Sequence, residues 1–145
     1  EKEIQGNCHL QHLTLRQAKY SGVNGDSSFT MDDVLVEQCG YQGVLVRGTG
    51  VVGRCTNVEV RQCGNSGVLA SSGGSITLIG AKTTVHQNCT RGDSDDYGLQ
   101  VYSSSSTIRL CLPLTKETVS TDNGGGGNWG ATYGGDINQI KTINE

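Results

Sequence analysis

The chain has 145 residues, of which 5% are aromatic and 22 are glycine, with one proline and a formal charge of −3. That length fits a single domain over 1–145, and the charge provides no basic face for nucleic acid. No apolar run approaches the ~20 residues of a membrane helix, so a soluble protein with no membrane partner is expected. With no initiator Met and no signal-like apolar segment, the sequence reads as a mature form or a piece of something longer.

Glu1–Asn7 is polar and carries no pattern. From Leu13 onward short runs alternate at period two: Leu13-Thr14-Leu15, Val34-Leu35-Val36, Val58-Glu59-Val60 and Thr83-Thr84-Val85. A second set follows each glycine corner, at Val44-Leu45-Val46, Val68-Leu69-Ala70 and Leu99-Gln100-Val101. A third precedes the next cycle, at Gly50–Gly53, Ser75–Ile79 and Ser106–Leu110. No stretch of ~11 residues holds a 3.6 period free of glycine, which argues against helix.

The runs belong to a repeated phrase. Val34-Leu35-Val36-Glu37-Gln38-Cys39-Gly40 returns 24 residues later as Val58-Glu59-Val60-Arg61-Gln62-Cys63-Gly64. Aligned glutamines 17, 38, 62 and 87 lie 21, 24 and 25 residues apart. A fixed period in this range means a solenoid. Three short strands per cycle predict an all-β chain of about five to six coils. The repeats are clear over about 10–112, and 113–145 forms an irregular terminal coil or cap. Phrase, period and glycine corners resemble the right-handed parallel β-helix of the pectate-lyase-like superfamily. The resemblance implies the fold, its handedness and polysaccharide as a partner, while six cysteines in a short chain favour an exported or cell-surface setting. It implies no reaction, because the fold hosts many activities and the motifs of its enzymes are missing. Of the polygalacturonase motifs only the pair Asp32-Asp33 is present, placed as a turn. The sole proline, in Leu112-Pro113-Leu114, rules out the pectate-lyase signature.

Stacked coils place equivalent residues over one another. Leu13/Val34/Val58/Thr83 and Leu15/Val36/Val60/Val85 then form an inward seam, and the glutamines an amide ladder. The column Gly22/Gly43/Gly67/Gly98 marks a corner needing either positive φ or close backbone approach. Outward, Arg16, Glu37, Arg61 and His86 share one column. They form a salt-bridge ladder or the wall of a sugar groove, in which Arg61, His86 and Glu37 with Asp95 are the catalytic candidates. Cys39 and Cys63 fall on adjacent coils within disulfide range. A bridge in an exported protein and a ladder of buried thiols both fit. Asn88-Cys89-Thr90 matches the N-glycosylation pattern.

Two stretches break the rhythm. Thr90–Tyr97 is an insertion in which Asp93, Asp95 and Asp96 can hold calcium, the one cofactor the sequence suggests. Arg91, Asp93, Asp95, Asp96 and Tyr97, with Trp129, are the ligand-binding candidates, because rhythm-breaking loops carry function. Gly124–Gly127 reads as flexible, and Trp129 with Tyr133 as either an end cap or a sugar platform. The reading that follows is a non-catalytic, exported module that binds polysaccharide or serves as a structural repeat. Its rivals are a small lyase- or epimerase-like enzyme and a segment of a trimeric fibre. Self-association through solenoid ends or faces is expected of either non-enzymatic form.

Overall fold

Alternation of inward apolar and outward polar residues over three or four positions is too short for an independent sheet. Each strand is therefore stable only when hydrogen-bonded to its equivalent one cycle away. The computed structural model describes residues 7–145, together with the backbone of 2–4; residues 1, 5 and 6 lie outside the described residues. The first coil comprises β1 (Lys2–Ile4), β2 (Cys8–Gln11) and β3 (Thr14–Arg16), and the second β4 (Val23–Gly25), β5 (Phe29–Asp32) and β6 (Leu35–Glu37). The third comprises β7 (Val44–Arg47), β8 (Val52–Thr56) and β9 (Glu59–Arg61), and the fourth β10 (Val68–Ser71), β11 (Ser75–Ile79) and β12 (Thr84–His86). The fifth contains β13 (Tyr97–Tyr102), β14 (Thr107–Cys111), a one-turn helix α1 (Lys116–Val119) and β15 (Ser120–Thr121). A further partial coil adds β16 (Gly127–Thr132), a 3-10 turn (Ile137–Gln139) and β17 (Ile140–Ile143).

Equivalent strands pair in parallel to give three sheets: A (β1, β4, β7, β10, β13, β16), B (β2, β5, β8, β11, β14, β17) and C (β3, β6, β9, β12, β15). The chain is thus a parallel β-helix with three strands per coil. Its interior is the expected seam: Val34, Val58 and Thr83 beside Val36, Val60 and Val85 are all buried, joined by Val44, Val68, Leu99, Ile76, Ile108 and Leu110 from the other two sheets. No helix is long and apolar enough to cross a membrane among the described residues.

The corners separate the two roles that the sequence left open for glycine. The left-handed residues are the glutamines themselves, Gln17, Gln38, Gln62 and Gln87 at φ 56 to 59°, with Asp122 at 55° as a fifth member. A non-glycine residue there costs about 1–2 kcal/mol. Amide bonds between coils offset it: Gln17 Nε2 donates to Gln38 Oε1 at 3.2 Å and Gln38 Nε2 to Gln62 Oε1 at 3.4 Å. The column Gly22, Gly43, Gly67 and Gly98 instead serves close approach. A Cβ on Gly22 would lie 2.5 Å from Val36 Cγ1 and 2.8 Å from the Gly43 carbonyl oxygen.

Two local expectations are corrected. The run 137–143 is strand only from Ile140, because Asp136 caps a 3-10 turn by accepting from Asn138 N at 2.7 Å. Helix is present, although brief: Thr115 caps α1 and accepts from Thr118 N at 3.2 Å.

Candidate functional site

Sheet C carries the outward charge column in register, Arg16 against Glu37, Glu37 against Arg61 and Arg61 against His86. The groups are bound to one another. Arg61 donates to Glu37 Oε1 through Nη2 at 2.7 Å and Nε at 2.9 Å, while Arg16 Nη2 holds Oε2 at 3.0 Å. Arg61 Nη1 also reaches Glu59 Oε2 at 3.2 Å, and His86 Nε2 meets the same oxygen at 2.7 Å. The Glu37 side chain is only 5% exposed beneath its two arginines. The hydrogen bond from His86, then the Arg61 charge, lowers the pKa of the Glu59 carboxyl. The bond to Glu37 raises that of Arg61 further above its ordinary value.

The acidic insertion does not converge on that column. Asp96 accepts from Asn65 Nδ2 at 2.6 Å and from Ser66 Oγ at 3.5 Å, anchoring the loop to the preceding coil. Gln100, buried on sheet A, donates to the Asp95 carbonyl at 2.9 Å and to Thr132 Oγ1 at 2.8 Å. Asp93 and Asp95 are exposed. No hydrogen bond or ion pair among the described residues joins Asp93, Asp95 or Asp96 to Glu37, Arg61 or His86. Among the described residues no group of three His, Cys, Asp or Glu side chains is placed to hold a metal ion, and Asp93, Asp95 and Asp96 form no such group.

The glycine run, expected to be flexible, is the insertion's partner. Gly126 N donates to the Asp96 carbonyl at 2.8 Å. A Cβ on Gly125 would stand 2.6 Å from the Asp93 oxygen, and one on Gly126 2.5 Å from that of Ser94. The ring of Tyr97 lies across Gly126 and Gly130. Arg91 leaves the loop in the other direction, its guanidinium 5.2 Å from the Tyr41 ring centre, and Tyr41 packs 5.2 Å from Tyr20. Trp129 pairs in register with Leu99, so it continues the inward column and packs on the core, with Lys116 Nζ 5.6 Å from its ring. Tyr133 is separate: it stacks on Tyr102 at 4.3 Å and is 70% exposed.

The cysteines form no disulfide among the described residues. Cys39 and Cys63 stand on adjacent coils facing the glycine column, and a hydrogen bond to Cys39, with burial, pushes the Cys63 thiol up. The next two positions of the column are Asn88 and Asn123. Asn88 accepts from Cys63 N at 3.1 Å and donates to Val60 O at 3.0 Å and Asn123 Oδ1 at 3.1 Å. At 1% exposure it is no glycan acceptor in the folded chain.

One surface lies outside the sequence-based candidates. Sheet B presents His9, Thr30, Arg54, Thr77, Arg109 and Lys141 outward in one column. At its first coils an open groove of about 500 Å³ is lined by His9, Ser28, Phe29, Thr30, Val52 and Arg54 among others. The same alignment that produced the sheet C column contains this one, one strand earlier in each cycle. No protein-family model, curated protein or solved structure matches the chain.

Proposed function

We propose that this chain is a non-catalytic, exported β-helix module that binds polysaccharide. The observation that carries the reading is the mutual neutralisation of Glu37, Arg61, Glu59 and His86 on sheet C. An arginine acting as base must shed its proton, and the bond to Glu37 works against that. Glu59 is held ionised, which removes it as a general acid near neutrality. Glu37 lies beneath two guanidinium groups, where a substrate has little access. His86 is already bound to Glu59 at 2.7 Å, and Asp95 shares no hydrogen bond or ion pair with this cluster among the described residues. Support for binding comes from the repeat: coils ~4.8 Å apart offer the same side-chain position at intervals comparable to one sugar unit along a straight face.

Incubation with a panel of neutral and acidic polysaccharides tests the reading, with ultraviolet absorbance for unsaturated products and affinity electrophoresis for binding. Retardation by at least one polymer with no product is expected. Product release would remove the non-catalytic reading, and free migration in every polymer would remove the binding one.

A further inference from the structure

Four of the chain's five tyrosines lie in two ring pairs, each spanning neighbouring coils. Tyr20 and Tyr41 lie in the corners before β4 and β7, with ring centres 5.2 Å apart and planes tilted by 45°. Tyr102, the last residue of β13, and Tyr133, the residue after β16, stack at 4.3 Å with planes 26° apart. The turn at Tyr133 does not call for a tyrosine. Register places Tyr133 directly after Thr132 and Ser72 directly after Ser71, and both Thr132 and Ser71 are partners of Tyr102. The two turns match: Ser72-Gly73 at φ 53° and 87°, Tyr133-Gly134 at φ 51° and 85°. Such left-handed pairs favour Gly, Asn or Asp, and a bulky side chain there is an outlier. Serine fills the position in the fourth coil, whereas in the last coil it holds a ring that is 70% exposed. What the tyrosine gains there is its stack on Tyr102.

The two pairs differ in charge. Lys19 Nζ lies 5.3 Å from the Tyr20 ring centre, and the Arg91 guanidinium lies 5.2 Å from that of Tyr41. A fixed positive charge opposes removal of an electron from the ring beside it. Among the described residues no cation lies over Tyr102 or Tyr133. Tyr133 is also more open than Tyr20 and Tyr41, which are 44% and 40% exposed. The Tyr102–Tyr133 pair is therefore the more readily oxidised of the two.

We infer that Tyr102 and Tyr133 form an oxidative cross-linking site, at which a haem peroxidase with hydrogen peroxide joins the two rings as dityrosine. Each phenol gives up one electron and its O–H proton. The two phenoxyl radicals then couple between their Cε atoms. Each newly bonded carbon loses its proton as the oxygen of the same ring regains one, which restores both phenols. The peroxide takes up the two electrons and two protons and leaves as two molecules of water. The stack supplies the proximity, so the bond forms within one chain. The product ties β16 to β13 covalently. Among the described residues β16 ends sheet A, paired on one side only, and no disulfide holds it. Strands at such an edge open most readily. The staple falls where the solenoid is held least, and it is independent of any ligand.

The test is treatment of the dilute full chain with a haem peroxidase and hydrogen peroxide, read by dityrosine fluorescence, a denaturing gel and peptide mass spectrometry with fragmentation. Expected is a monomer in which the peptides carrying Tyr102 and Tyr133 are joined at those residues with loss of two hydrogen atoms, while those of Tyr20 and Tyr41 stay separate. Tyr133→Phe keeps the ring but has no O–H bond, and it should lose the joined peptide and most of the fluorescence. Tyr41→Phe should retain both. Hydrogen exchange at the Gly127–Thr132 amides should slow once the rings are joined. Absence of dityrosine under conditions that couple free tyrosine would overturn the inference. So would cross-links formed only between chains, or coupling of Tyr20 to Tyr41 ahead of Tyr102 to Tyr133. Unchanged exchange in the coupled chain would overturn the role as a staple.

Discussion

The ring of Tyr97 crosses Gly130 so closely that a Cβ there would stand 2.5 Å from both Cδ1 and Cζ. The insertion and the glycine-rich run, the two places where the repeat fails, are therefore one packed unit. Gly130→Ala must displace a ring that also rests on Gly126, an overpacking expected to cost about 1–3 kcal/mol in urea denaturation. A change within a few tenths of a kcal/mol would mean that the loop does not rest on this strand.

Glu37 bridges Arg16 and Arg61 from a nearly buried position. Glu37→Gln removes the anion from between two cations and should destabilise by about 1.5–3 kcal/mol, the range for hydrogen bonds to charged groups. Arg16→Gln leaves the Arg61 contact and should cost less. Equal effects in chemical denaturation would contradict the asymmetry.

The pH dependence follows from Glu59. Its folded pKa lies below the ordinary glutamate value, about 4.3, chiefly through His86 and then Arg61. The associated stability is fully present above the unfolded pKa and is lost as pH falls through the folded one. Thermal midpoints should therefore drop in acid below about pH 4, and Glu59→Gln should flatten that limb. An unchanged acid limb in the variant would show that the carboxyl is not held in this way.

Asn88 is the polar bracket between the cysteine pair and Asn123. Asn88→Ala removes the acceptor of Cys63 N, at a cost of about 1–3 kcal/mol, and should lower the melting temperature by several degrees. Expressed in a glycosylating host, the wild-type chain should show an unmodified Asn88 by peptide mass spectrometry. A glycan there would be incompatible with its buried position.

The thiols of Cys55 and Cys89 are pushed up to about 12 by burial. At pH 8 both should resist iodoacetamide in the folded chain and react once it is unfolded, with half-buried Cys8 labelled earlier. Prompt native labelling of Cys55 would contradict the packing of sheet B.

The strands Val44–Arg47, Val68–Ser71, Ser75–Ile79 and Thr107–Cys111 were legible because Val, Ile and Leu recur there, whereas the run read at Gly50–Gly53 is strand over Val52–Thr56. Those at Val23–Gly25 and Phe29–Asp32 were not: Asn24 and Gly25 break the apolar run and become strand by pairing with Leu45 and Val46, and Phe29–Asp32 does so by pairing with Cys8–Gln11 and Gly53–Thr56. The charge column of sheet C was readable by alignment, but its closure into a network required Glu59, which sits in the neighbouring column. Asp122-Asn123 is a fifth copy of Gln87-Asn88, concealed by the change of residue type at the left-handed position. The glycine run misled for a different reason. Composition reports what a segment lacks, and only the fold reveals that the space is occupied by Tyr97.

That packing also sets an order on biosynthesis. Asn65 and Ser66 must wait about 30 residues of further synthesis for Asp96, and the Asp96 carbonyl about 30 more for Gly126. Successive coils can dock as they leave the ribosome, each on the one already formed. The insertion must bridge a gap in time, its Asp96 carbonyl waiting for Gly126 until the next coil arrives to close over it.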